Sequence, residues 1–159
     1  MKLANLLNTE RIILGMSAGE HWPAIVELID HLISCQALDA AMRDEILEAL
    51  RIREEQVSTG VGHGVAIPHA FSENLDKVVT ILGRSPAGID FEALDGKPVH
   101  FVILFLVPKK DYHLHLQTLA AIAKMFTNAE IRRRLGEAAT HQDILDIFAG
   151  KPPKAAGMA

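Results

Sequence analysis

"VHFVILFLV", residues 99–107, is the stretch whose reading decides the fold. Apart from His100 it is wholly apolar and rich in β-branched and aromatic side chains. A run this short, bounded by turn residues, is strand-length rather than helix-length. Without an alternating polar face, it must be covered on both sides. "DGKP", residues 95–98, turns the chain into it, and Pro108 stops it.

Working upstream, "KVVTILG" (77–83) reads as a second strand and "SPAG" (85–88) as the turn after it, with a short β piece at 89–91. Residues 65–67 read as another short strand. Helical periodicity accounts for the two flanks. An apolar stripe of Ile25, Leu28, Ile29, Leu32 and Ile33 marks a first helix within 17–34. Its start is open: Ser17 and Glu20 have capping-box spacing, but Pro23 favours a start near His21. Asp39 opens a second helix to about residue 55, with Met42, Ile46, Ala49 and Leu50 inward and Arg53 continuing that stripe. Asp111 opens a third, to about residue 127, with Leu116, Leu119, Ala120, Ala123 and Phe126 inward. Asn128 caps a fourth, and Thr140 with Asp143 forms a capping box for a fifth. The order predicts an α/β sandwich: a single mixed β-sheet flanked by helices on both faces. One domain is expected over residues 1–150, followed by a disordered tail, residues 151–159, opened by Gly150, Lys151, Pro152 and Pro153.

The 159 residues carry a net charge of −4, which argues against nucleic acid as the main partner. The basic run Arg132-Arg133-Arg134, beside Glu130 and Glu137, reads as a solvated helix face. The single cysteine, Cys35, excludes an internal disulfide and reads as a buried, inert thiol. No run approaches the roughly 20 apolar residues that span a bilayer, and no secretory leader is evident, so a cytoplasmic protein is expected.

Chemistry concentrates in "STGVGHGVAIPHA", residues 58–70. Its glycines do not open a helix after Gly-Lys-Ser/Thr, as a P-loop requires, and do not follow a strand into a helix, as a dinucleotide site requires. Gly60, Gly62 and Gly64 fit a tight bend into a strand. They equally fit a loop, with Ser58 and Thr59, whose backbone N–H groups line an anion-binding concavity. His69 follows Pro68, which biases Ile67 toward an extended shape, so the strand presents the imidazole in a restricted direction. His115 shares an azimuth with Leu119, Ile122 and Phe126 near the start of the third helix. That position suits a hydrogen-bond donor to an anion, and equally a core histidine satisfied by a carbonyl. Arg53 brings a permanent cation to the end of the helix before the loop. His113 and His115 lie about 200° apart on a helix, and HExxH and CxxC spacings are absent, so a metal site is the weaker reading. The absence of a GxSxG elbow disfavours a serine hydrolase.

These residues resemble the enzyme IIA domains of the phosphotransferase system, in its fructose, mannitol and nitrogen class. The resemblance runs from "LANLLNTERIIL" to "DILDIF" and is strongest in "REEQVSTGVGHGVAIPH" and "HLQTLAAIAKMF". It implies that His69 is the phosphorylated residue, accepting phosphoryl on Nε2 from a histidine-containing phosphocarrier protein. His115 falls at the family's second active-site histidine and Arg53 at its arginine ahead of the loop. No cofactor or metal is implied, because phosphoryl moves between protein side chains. The acceptor would be a IIB cysteine or, in the nitrogen branch, a regulatory target. A chain of one domain favours the nitrogen-type regulatory branch over fructose- or mannitol-specific uptake. A non-catalytic protein-binding module on the same fold is the alternative of another class. His63 and His113 match no role in the family.

Overall fold

The structure, a computed structural model, describes residues 3–56 and 60–152. Ser58, Thr59 and residues 153–159 of the expected tail lie outside these. The decisive run forms β6 (Val99–Pro108) at the centre of a six-stranded sheet. On one side it pairs antiparallel with β5 (Val79–Ile89), which pairs in turn with a short parallel β1 (Ile12–Ile13). On the other side it pairs in parallel with β3 (Val65–Ala66) and, further along, with β4 (His69–Ser72). β2 (Gly60–Gly62) closes that edge, antiparallel to β3. The sheet is therefore mixed, as the sequence predicts.

Strand periodicity then divides β6 between two cores. Val102, Leu104 and Leu106 pack with α1 (His21–Ser34) and α2 (Arg43–Gln56). Phe101, Ile103, Phe105 and Val107 pack on the other face with α3 (Tyr112–Phe126), α4 (Ala129–Glu137) and α5 (His141–Phe148). Among the described residues no helix is long and apolar enough to cross a membrane.

Of the two starts left open for α1, the one at His21 forms, which leaves Pro23 in the first turn, where an N–H has no intrahelical acceptor. Several other local expectations are corrected. No Ser17–Glu20 box forms. The Glu27 carboxylate instead accepts the N–H groups of Ser17 and Ala18. Asp39 caps a single 3₁₀ turn, Ala40–Met42, that leads into α2. "SPAG" is not a turn between strands, because β5 runs through it with a break in register between Arg84 and Ile89. β1 pairs with β5 only at Leu82 and Gly83, so Pro86 lies beyond that ladder. Ser85 Oγ accepts the Gly88 N–H across the irregularity. β3 stops at Ala66, one residue early. In α3, Leu116, Ala120 and Ala123 are exposed, while His115, Thr118, Ile122 and Phe126 are buried. The helix is apolar around much of its circumference, so periodicity alone allows either stripe. Cys35 is half-buried, its thiol against the Leu32 carbonyl.

The caps at Asn128 and Thr140 form as expected, the second as a complete capping box. Within the basic run, Arg133 pairs with Glu130 and Glu137, whereas Arg132 and Arg134 donate to the carbonyls of Phe126 and Lys151.

Leu104 is fully buried against α1 and α2. Leu104→Ala is expected to destabilise the fold by about 2–5 kcal/mol, read from the urea unfolding midpoint. An unchanged midpoint would contradict the two-core arrangement.

Candidate functional site

The site lies where β4 resumes the ladder that β3 leaves. Pro68 has no N–H to donate, but its carbonyl accepts the Phe105 N–H at 3.0 Å, so pairing with β6 passes through the proline. His69 then sits in register with Phe105 and shares a face with Phe71, toward α3. The residue is only 8 % exposed. Nδ1 lies 3.0 Å from the Ile67 carbonyl. A carbonyl can only accept, so Nδ1 carries the proton and the Nε2 lone pair is left available.

His115 meets it from the opening turns of α3. The two rings are 5.1 Å apart, and Phe71 and Phe105 present themselves edge-on to His115 at 5.4 and 5.2 Å. His115 is 3 % exposed, yet neither ring nitrogen has a hydrogen-bond partner among the described residues. The alternative of a core histidine satisfied by a carbonyl therefore fails. An unpaired buried polar group costs on the order of 1–3 kcal/mol, so its retention calls for a reason.

Burial sets the charge state of both rings. It pulls the His115 pKa down to about 4, with His69 and Arg53 adding to the effect. Burial also lowers the pKa of His69; the Ile67 bond opposes this, Arg53 adds to it, and Glu54 counteracts it weakly. Both imidazoles are thus neutral at pH 7. Arg53 stands in the last turn of α2 and is exposed, not inward: the buried stripe ends at Leu50, where the core ends. Its charge nevertheless reaches both histidines.

The glycine segment forms a hairpin. His63 and Gly64 are the two turn residues between β2 and β3, with φ of 57° and 74°, as a type I′ turn requires. Gly62 also has positive φ, at 98°. Register places Gly60 opposite Ala66 and sets Gly64 beside His100, toward the end of β6 away from His69. The expected phosphate-loop residues Ser58 and Thr59 lie outside the described residues.

The structure places the His69 and His115 rings side by side, and adds Phe71, Phe105 and Tyr112, which the sequence did not single out, as aromatic walls. Tyr112 is 5.2 Å from Phe71 and exposed, as are Leu114 and Leu116 beside it on α3. Phe71 had a legible signal, since it is two residues from His69 on a strand.

The chain and its fold match a known family. The chain belongs to the family described as phosphoenolpyruvate-dependent sugar phosphotransferase system, EIIA 2, whose profile matches residues 5–151. It is 32% identical over 158 residues to a nitrogen regulatory protein of Bradyrhizobium diazoefficiens, covering 98% of this chain and 100% of that one. It is 35% identical over 148 residues to the fructose-specific EIIABC component of Bacillus subtilis, covering 93% of this chain but only 23% of that longer protein. Among solved structures, nitrogen regulatory protein IIA-Ntr from Neisseria meningitidis superposes with a TM-score of 0.82 at 30% identity, covering 91% of this chain and 97% of that one.

The depressed histidine pKa values give a signed prediction. As pH falls from the ordinary His value of 6.5 toward about 4, the unfolded chain binds a proton at His115 before the folded one does. Stability is therefore lost across that window, by at most roughly 3 kcal/mol from this residue. His115→Leu should reduce the drop in urea midpoint between pH 7 and pH 4.5. An equal drop in both proteins would mean that His115 is not held neutral.

Proposed function

We propose that the chain is a phosphoryl carrier in which Nε2 of His69 accepts a phosphoryl group from a histidine-containing phosphocarrier protein. The observation that most supports this is the pairing of a fixed Nε2 lone pair with a buried His115, unpartnered among the described residues, 5.1 Å away ring to ring. The neutral His69 attacks phosphorus in line. The P–Nε2 bond to His69 forms as the P–N bond to the donor histidine breaks, and the Nδ1 proton stays on the ring, held to the Ile67 carbonyl. His115 then gives one N–H to a phosphoryl oxygen, which satisfies a nitrogen that is otherwise bare. Arg53 adds positive charge from the end of α2. Ser58, Thr59 and Gly60 supply backbone N–H groups to the phosphoryl oxygens, while Gly62 and Gly64 shape the hairpin. This transfer needs no metal or nucleotide.

Tyr112, Leu114 and Leu116 form an exposed apolar collar at the start of α3, suited to a transient carrier interface. We place the protein in the cytoplasm with that donor, and in the nitrogen-type regulatory branch, where phosphorylation state is the signal. The full-length match to the Bradyrhizobium nitrogen regulatory protein supports that branch. The fructose-specific relative supports the second reading, transfer onward to a IIB cysteine for sugar uptake.

The test is incubation with phosphoenolpyruvate, enzyme I and the phosphocarrier protein, read by intact mass. One acid-labile phosphate is expected on the native chain and none on His69→Ala, whose circular dichroism should be unchanged. No gain of mass from a competent carrier would leave a protein-binding module as the better account. His115→Ala should fold and still accept phosphoryl, at least about tenfold more slowly. Equal rates would return His115 to a purely packing role. Because burial lowers the His69 pKa, the pH at which the acceptance rate falls by half should lie below the ordinary imidazole value of 6.5.

A further inference from the structure

At the end of β6 opposite His69 lies a cavity of about 400 Å³. His100 and Phe101 line it, whereas Phe105 faces His69; His100 and Phe105 are five strand positions apart, about 16 Å at the usual strand rise. The cavity is therefore distinct from the phosphoryl site, and a ligand bound there would not draw on that site's chemistry.

Two guanidinium groups enter this cavity from different elements, Arg84 of β5 and Arg132 of α4. Both are partly buried, and both are anchored only by neutral carbonyls. Arg84 donates Nε to Leu14 at 2.9 Å and Nη1 to Leu135 and Ala138 at 2.9 and 2.7 Å. Arg132 donates Nη1 to Phe126 at 2.6 Å. Arg43, Arg51 and Arg133, by contrast, each pair with carboxylates. Neither cavity arginine has a carboxylate partner among the described residues. Burial draws the Arg84 pKa down with no acid opposing it. Cations taken partly out of water, with donors left over and no counter-ion, are what an anion site requires.

The imidazoles complete the ring of donors. His100 gives Nδ1–H to the Ser85 carbonyl at 2.8 Å, which leaves Nε2 outside that bond. Its ring is fixed between two glycine backbones: a Cβ at Gly64 or Gly88 would come within 3.6 or 3.2 Å of a ring carbon. His63 reaches the same cavity from the hairpin tip, where its positive φ would suit Asn or Gly better. Phe101 and Pro86 supply an apolar wall for a carbon skeleton.

We propose that this cavity binds a small dianionic metabolite, a dicarboxylate or a phosphate monoester, between Arg84, Arg132, His63 and His100. The test is titration of the ¹⁵N-labelled full chain with glutarate and, separately, with glycerol 3-phosphate, against sodium chloride at matched ionic strength. Saturable shifts confined to the amides of residues 62–64, 84, 85, 87, 88, 100–101 and 132–136 are expected, with Kd on the order of 1 mM or tighter. Saturation by only one probe assigns the ligand to that chemistry. Arg132→Gln should weaken binding about tenfold or more, since it removes a charge-assisted contact. His63→Asn keeps the turn and should weaken binding less. Failure of both probes to saturate, shifts that the chloride control reproduces, or wild-type affinity in Arg132→Gln would overturn the proposal. His69→Ala should bind the probes as the native chain does, so the two readings fail separately.

Discussion

The hydrogen bond from the Phe105 N–H to the Pro68 carbonyl is the contact on which the site's geometry turns. It carries the edge ladder across a residue that cannot donate, so β3 and β4 behave as one line interrupted only by Ile67 and Pro68. His69 thereby inherits its position from β6, the most buried strand in the molecule. A side chain fixed by a central strand is held by packing on both faces rather than by a loop. The 5.1 Å meeting with His115 is a consequence, because α3 packs on the odd-numbered face of the same strand.

That dependence explains what the sequence revealed and what it hid. β6 was legible because burial on both faces leaves one unambiguous pattern, an apolar run between turn signals. His69 was legible because Pro68 restricts it locally. α3 was legible as a helix but not in its facing, because Leu116, Ala120 and Ala123 are as apolar as the residues that turn inward. The choice was made by Phe71 and Phe105, long-range partners that periodicity does not encode. "SPAG" was misread for a related reason. Its residues are turn formers in isolation, but the pairing of Ile89 with Val99 holds them in the strand. The short strands β1 and β2 carry too few residues for any period to register.

Arg53 shows the same limit in electrostatics. Its place on the stripe suggested an inward charge, which a dry core would not tolerate unpaired. The helix resolves this by outrunning the core, so the guanidinium stays in solvent while its field still reaches both imidazoles. A charge at that distance favours an incoming anion without forming a bond that the anion must first displace.

The resting site is built at the expense of stability. Two neutral imidazoles sit in an aromatic pocket, and one of them has both nitrogens without a partner among the described residues. Replacing His115 by an apolar side chain would remove that unsatisfied pair, so stability alone gives no reason to keep it. A neutral His115 offers an N–H without adding a charge that would repel a cationic neighbour. In the proposed role, its depressed pKa means that an arriving phosphoryl dianion would strengthen the contact by drawing that pKa back up. The group is thus indifferent while the site is empty and attractive once it is filled. A carrier needs that asymmetry, because a site that held its charge permanently would bind phosphoryl too firmly to pass it on.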